Sequence, residues 1–264
     1  MEQLLELTRI FAVLTLFIYT SWKDYKTREV SNRVWLISAP PLFAVTLLQL
    51  VLYFPSLWSW YLFSIGFTSL ISTLLFYMGV FGGADAKALM VLALAMPFHP
   101  TITQSFAFPS LVARVTFPLA VLTNAALFGA SLSIYYFTRN LFRSFFRKQS
   151  FFIEIQNESF TRKVVLALTG YPTPLKNLYA NAFLLPLEKV EEKEGVLTKT
   201  VSLRPNLDER EAEIEKLAKV KKPQDLVWVT PGLPFLVFIL LGLLFGLLAT
   251  DVFAVLFKLF NLLV

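Results

Sequence analysis

The chain has 264 residues, 56% of them hydrophobic and 16% charged, with a mean hydropathy of +0.63 and a formal net charge of +6. It has no cysteine and one histidine, which excludes disulfides, thiolate catalysis and cysteine- or histidine-cluster metal sites. Charge is unevenly spread. Positions 137–228 hold 16 of the 24 basic and 12 of the 18 acidic residues, and the rest is nearly charge-free, the pattern of a polytopic membrane protein with one polar insert.

Six apolar spans follow in chain order: 4–22, 34–54, 58–81, 86–97, 112–137 and 231–257. About 20 apolar residues are needed to cross a hydrocarbon core of about 30 Å, and five of the six reach that length. The first carries Glu2 and Glu6 ahead of Arg9 and lacks a small-x-small cleavage site, so it reads as a retained helix rather than a signal peptide. The fourth covers only ~20 Å at 1.5 Å per residue. Pro97 and Pro100 stop it, so it is expected to start at depth, with 82–85 as irregular backbone lining a wet cavity. His99, between those prolines, reads as a loop residue at the membrane surface.

Lys23, Lys26, Arg28 and Arg33 follow the first span, and Arg139, Arg143, Arg147 and Lys148 follow the fifth. Positions 55–59 are uncharged and 99–111 lack Lys and Arg. The positive-inside rule then puts the first loop, the 82–87 turn and the insert in the cytoplasm, with both termini outside a plasma membrane. The net charge reads as this bias and as affinity for membrane lipid, not nucleic acid.

The insert reads as a small cytosolic α+β domain. Strands are expected at 151–155 and 163–168, a hairpin from 182–190 and 196–203 around the charged turn 191–195, and a returning strand at 225–230. Positions 208–220 form an amphipathic helix with Ile214, Leu217, Ala218 and Val220 on its apolar face, capped by Asp208 or Asn206. The division is thus 1–137 for helices 1–5, 138–229 for the insert and 230–264 for helix 6.

Asp24 and Asp85 lie 61 positions apart, each at the cytosolic edge of a span. A carboxylate at membrane depth is costly, which marks a functional residue. Two that converge suit peptide hydrolysis: one acts as general base on water, and the other, protonated, is the acid for the carbonyl oxygen or leaving amine. Like charges that close share one proton and titrate as a unit. Gly82 and Gly83 permit positive φ and close approach of a substrate strand to Asp85.

Other residues carry two readings each. Lys87 either tunes the pair or snorkels to the interface, with snorkelling favoured. Asn32 either bonds near the pair or caps the second helix, with the cap favoured. Pro231 and Pro234 either break the last helix beside the site or simply start it, readings of equal weight. Glu29 is a candidate acceptor for a basic substrate segment. Gly242 and Gly246 form a GxxxG that reads as close helix packing, and Asp251 reads as structural.

Three patches carry a family resemblance: Asp24-Tyr25-Lys26-Thr27-Arg28-Glu29-Val30-Ser31-Asn32, Gly82-Gly83-Ala84-Asp85-Ala86-Lys87, and Trp228-Val229-Thr230-Pro231-Gly232-Leu233-Pro234-Phe235. With this order and spacing the chain resembles the archaeal type IV prepilin and preflagellin (prearchaellin) peptidases of the GxGD membrane aspartic proteases. One departure is Ala84, where the pattern has glycine before the second aspartate. The resemblance implies catalytic roles for Asp24 and Asp85, no metal or organic cofactor, and cleavage without methylation. It implies as substrates pilin or archaellin precursors, cut at the cytosolic face between a basic leader and a hydrophobic helix. The alternative is a proton- or cation-coupled transporter using the same aspartates. Before substrate binds, the two carboxyls are expected to stand too far apart to share a proton, so that closure accompanies binding. The oligomeric state is left open.

Overall fold

The computed structural model describes residues 1–105, 109–147, 150–153, 155–156, 158–193, 196–203, 205, 209–249, 251, 254–255 and 258–259. Its helices are α1 (Glu2–Thr27), α2 (Asn32–Tyr53), α3 (Trp58–Tyr77), α4 (Gly83–Ala95), α5 (Leu111–Val115), α6 (Phe117–Arg147), α7 (Phe160–Thr169), α8 (Lys176–Ala180), α9 (Arg210–Val220) and α10 (Phe235–Leu248). Its strands are β1 (Tyr171–Pro174), β2 (Leu184–Pro186), β3 (Glu188–Lys193), β4 (Val196–Val201) and β5 (Leu226–Pro231). Two compact units result, Met1–Gly129 with Pro234–Val264, and Ala130–Leu233.

In the first unit an apolar core of α4, α6 and α10 residues is flanked by two helices whose buried faces are largely polar. On α1 the buried positions are Glu6, Arg9, Val13, Phe17, Thr20, Ser21 and Asp24, a stripe at helical spacing, while Leu4, Phe11 and Ile18 are exposed. On α3 Tyr61, Ser64, Thr68 and Ser72 face in, and Leu62, Phe67, Leu70 and Leu74 face out. Polar residues inward and large apolar residues outward suit lipid as the solvent. Among the described residues four helical segments are long and apolar enough to cross a membrane: α1, α2, α3 with its preceding 3-10 turn, and Phe117–Phe146 of α6; α10 is apolar but shorter.

Helix α4 lies among α1, α2, α3 and α10 and is buried on nearly all sides. A helix that ends inside a bundle leaves its last carbonyls without partners. Hydroxyls from the neighbouring helices supply them. Tyr61 donates to Leu94 O at 3.3 Å, Thr46 to Ala95 O at 2.9 Å and Ser64 to Pro97 O at 3.0 Å. This is how a 13-residue helix is held in the unit.

The expected fifth span is broken. The chain forms α5, leaves helical geometry at Thr116 and restarts as α6, which runs ten residues past the expected end at 137. Pro118 explains the break, since it has no N–H and its ring blocks a helix continuing from α5. Helix α10 packs closely on α6: a Cβ at Gly242 would lie 2.5 Å from Val121 O and 2.8 Å from Ala125 N. The GxxxG therefore serves close helix contact. His99 is buried at 3% exposure, its ring 2.9 Å from Gly246 O and edge-on to Phe117, so it is no surface loop residue. Asp251 is buried and its Oδ1 accepts from Ala254 N at 2.9 Å.

In the second unit β5 is the central strand of an antiparallel sheet ordered β1-β5-β2, and β3 pairs with β4 in a separate hairpin. Side chains alternate across β5. Val227 and Val229 pack with Leu175, Leu178, Ile214 and Leu217, and Trp228 packs on the other face with Leu166, Ala167 and Leu187. Buried Glu188 joins the layers by accepting from Trp228 N at 2.9 Å, with Lys199 and Lys221 each at 2.9 Å.

The returning strand matches the sequence expectation; the hairpin forms, but its first strand is β3, which runs through 191–193 of the expected turn, while Leu184–Pro186 of the expected strand 182–190 is β2, paired with β5. The expected strand at 163–168 is absent; those residues lie within helix α7, and Phe151–Ile153 form a turn. A short apolar run bounded by polar residues fits either element, and burial of adjacent Leu166 and Ala167 follows a helix face rather than strand alternation. On α9 Ile214 and Leu217 are buried, whereas Ala218 and Val220 are exposed. Its expected caps Asp208 and Asn206, and the turn at 194–195, lie outside the described residues. Strand β1 was not expected, because Pro172 and Pro174 argue against a strand; it sits at a sheet edge, where proline is tolerated.

Candidate active site

Asp24 closes the buried stripe of α1, one turn before the helix ends in left-handed Arg28 (φ 59°). Its carboxylate accepts from Leu236 N at 3.2 Å, and Ser21, three residues earlier on the same face, donates to Leu236 O at 2.8 Å. Leu236 is the second residue of α10, so Asp24 satisfies one of the N–H groups that a helix start leaves open. Pro234 occupies the cap position just before α10. Pro231 belongs to β5, paired with Leu184, so the helix start falls to Pro234 alone.

Asp85 is half-buried in the first turn of α4, and its Oδ2 accepts from Gly82 N at 2.9 Å. Both carboxylates therefore sit at helix N-termini, where the backbone dipole favours negative charge: Asp24 at that of α10, Asp85 at its own. The charge of Asp24 also acts on Asp85. Among the described residues no hydrogen bond joins the two carboxyls; each is held by a backbone N–H.

Neither Gly82 nor Gly83 has a positive φ; space is tight at Gly82 and ordinary at Gly83. Gly82 has φ −72°, and a Cβ there would stand 3.2 Å from Asp85 Oδ2. A Cβ at Gly83 would meet Lys87 Nζ at 3.7 Å. Among the described residues the left-handed glycine is Gly79 (φ 71°), which ends α3 in a Schellman turn: Gly79 N bonds Phe76 O and Val80 N bonds Leu75 O, both at 2.9 Å. That turn redirects the chain toward Asp85. A glycine shortly after an apolar helical run is the sequence signal for such a turn.

Lys87 is half-buried and donates to Asn32 Oδ1 at 2.7 Å, tying α4 to α2. The cap of α2 is Ser31, whose hydroxyl accepts from Arg33 N at 3.4 Å, so Asn32 is a tether rather than a cap. A cleft of about 760 Å³ opens between the end of α1 and the start of α4, lined by Lys23, Arg28, Glu29, Asn32 and Ala84 among others. Among the described residues no group of three His, Asp or Glu gathers to hold a metal ion.

A multi-pass membrane protein carrying two helix-capping aspartates in one unit is the class that this fold defines. Two family models match the chain: the Type IV leader peptidase family over residues 11–137, and the archaeal peptidase A24 C-terminus, type II, over residues 162–252. Comparison with curated proteins gives no match. The chain belongs to the Type IV leader peptidase family and is a prepilin/preflagellin-type peptidase, a hydrolase of the membrane aspartic class; that family acts on prepilin-type precursors. The first matched stretch contains Asp24, Asn32, Gly82, Gly83, Asp85 and Lys87; the second contains Pro231 and Pro234.

Proposed function

We propose that the chain removes the basic leader from type IV pilin-like or archaellin precursors at the cytosolic membrane face, with Asp24 and Asp85 as its catalytic pair. One observation carries this: Lys23 and Ala84, the neighbours of the two aspartates, line the same cleft. One carboxylate takes a proton from water as that water attacks the scissile carbonyl, and the other, protonated, gives its proton to the carbonyl oxygen; as the tetrahedral diol collapses, the first gives the proton it took to the leaving amine and the second takes one back from the diol. Substrate entering the cleft draws the two carboxyls from their separate N–H partners into one site.

The spans in this reading are α1, α2, α3, α4, α6 and α10, with both termini outside and the 138–229 insert in the cytoplasm. Lys23, Lys26, Arg28 and Arg33 at the turn after α1 support that orientation. They repel a basic leader. Glu29, the cleft's acidic residue among those described, receives it. Lys87 and Asn32 fix the first turn of α4 beneath Asp85, and Pro234 sets where α10 begins. The reaction calls for no cofactor. The family match favours hydrolysis over the transport reading.

The test is incubation of the protein in liposomes with a precursor bearing a basic leader and a hydrophobic helix, the products being mapped by mass spectrometry. A single cut between leader and helix is expected. Intact precursor across several such substrates, with a proton flux through the liposomes, would overturn the reading.

A further inference from the structure

Arg9 lies fifteen residues before Asp24 on α1, roughly 22 Å away at 1.5 Å per residue. It is 8% exposed, beside Glu6 at 1%. Glu6 is fully employed: Oε1 accepts from Thr101 N at 2.7 Å, and Oε2 accepts from Thr101 Oγ1 at 2.6 Å and Ile102 N at 3.1 Å. Arg9 is not. Among the described residues its guanidinium makes no hydrogen bond, its Nε is buried without a partner, and its ionic contact to Glu6 is long, at 3.7 Å. Gln49 of α2, 3% exposed, also has a buried Oε1 without a partner.

Arg9 and Gln49 line one cavity of about 350 Å³. Its charged lining residues are Glu6, Arg9 and Arg114, leaving an excess of one positive charge with His99 neutral. A guanidinium keeps its charge and offers five donors, so its burial without acceptors calls for an anion. Two oxygens on one centre, as in a carboxylate or a phosphate, match its fork. The Gln49 amide presents either acceptor or donor by a flip. The rest of the lining is largely apolar, including Leu50, Phe54, Trp60 and Phe98. Trp58 and Trp60 are exposed at the start of α3, the arrangement of an aromatic belt at headgroup depth.

We propose that this cavity binds the phosphate headgroup of an anionic membrane lipid, held by Arg9 with Gln49 and Arg114. The site is separate from the aspartate pair. It supplies the hydrogen-bond acceptor that Arg9 lacks and ties α1 to α2 and the loop after α4.

The experiment is native mass spectrometry and thermal unfolding of the delipidated full chain in detergent, titrated with phosphatidylglycerol, phosphatidylcholine or inorganic phosphate. Wild type is expected to take one phosphatidylglycerol about tenfold more tightly than phosphatidylcholine, with a rise in Tm. Arg9→Gln is expected to lose that preference by about tenfold, and Arg9→Lys to keep part of it. Gln49→Leu, which leaves the cation in place, is expected to weaken binding and serves as the second variant if Arg9→Gln does not fold. Stabilisation by inorganic phosphate equal to that by the lipid would overturn the lipid assignment. Unchanged phosphatidylglycerol binding in Arg9→Gln and Gln49→Leu, or no preference in wild type, would overturn the site and leave water as the cavity's occupant.

Discussion

A Cβ at Gly82 would stand 3.2 Å from Asp85 Oδ2, close enough that the carboxylate must shift by a few tenths of an ångström. Gly82→Ala is therefore expected to lower kcat by about tenfold or more while leaving KM and Tm nearly unchanged, because a small displacement of a reacting group costs rate more than binding. Steady-state kinetics on a precursor check this, and wild-type kcat in the alanine variant would contradict it. The two aspartates and both glycines of this turn were legible as candidates from residue type and position. The reason for Gly82 was not, because crowding against a neighbour's oxygen is a property of the folded turn. The Lys87–Asn32 bond was also hidden, since nothing in sequence links positions 55 residues apart.

At the scale of elements, α1 to α4 and α10 follow from apolar runs and their breakers, and the Gly242–Gly246 pair announced its packing. What escaped depended on context. A proline near the start of α6 splits a run that hydropathy reads as continuous, while Pro40 and Pro41 lie inside α2 without ending it. The segment 163–168 is helical because Leu166 and Ala167 together meet the Trp228 face of β5. Packing of α10 on α6 yields a direct prediction. Gly242→Leu must displace the backbone at Val121 and Ala125, so it is expected to destabilise the membrane unit by about 1–3 kcal/mol or more. The measurement is thermal unfolding in detergent, and an unchanged Tm would contradict the packing described.

For the whole molecule, the uneven charge in the sequence anticipates two units of different character, one with many large apolar residues exposed and polar stripes turned inward on α1 and α3, the other with a conventional core on both faces of β5. Burial of polar stripes on α1 and α3 has a consequence for chemistry: the stripe that seats Glu6 and Arg9 at one end of α1 seats Asp24 at the other. The first unit thus holds Asp24 by α10 and Asp85 by the turn before α4, so each carboxylate depends on a helix start for its place. The central claim is that these two carboxyls together perform the hydrolysis. The measurement is precursor cleavage by wild type, Asp24→Asn and Asp85→Asn in liposomes, with Tm recorded for each. Cleavage by wild type and its loss by a factor of about 10³ or more in both variants, at near-wild-type Tm, is the predicted result. Cleavage that survives either substitution would contradict the account and place the chemistry elsewhere in the chain.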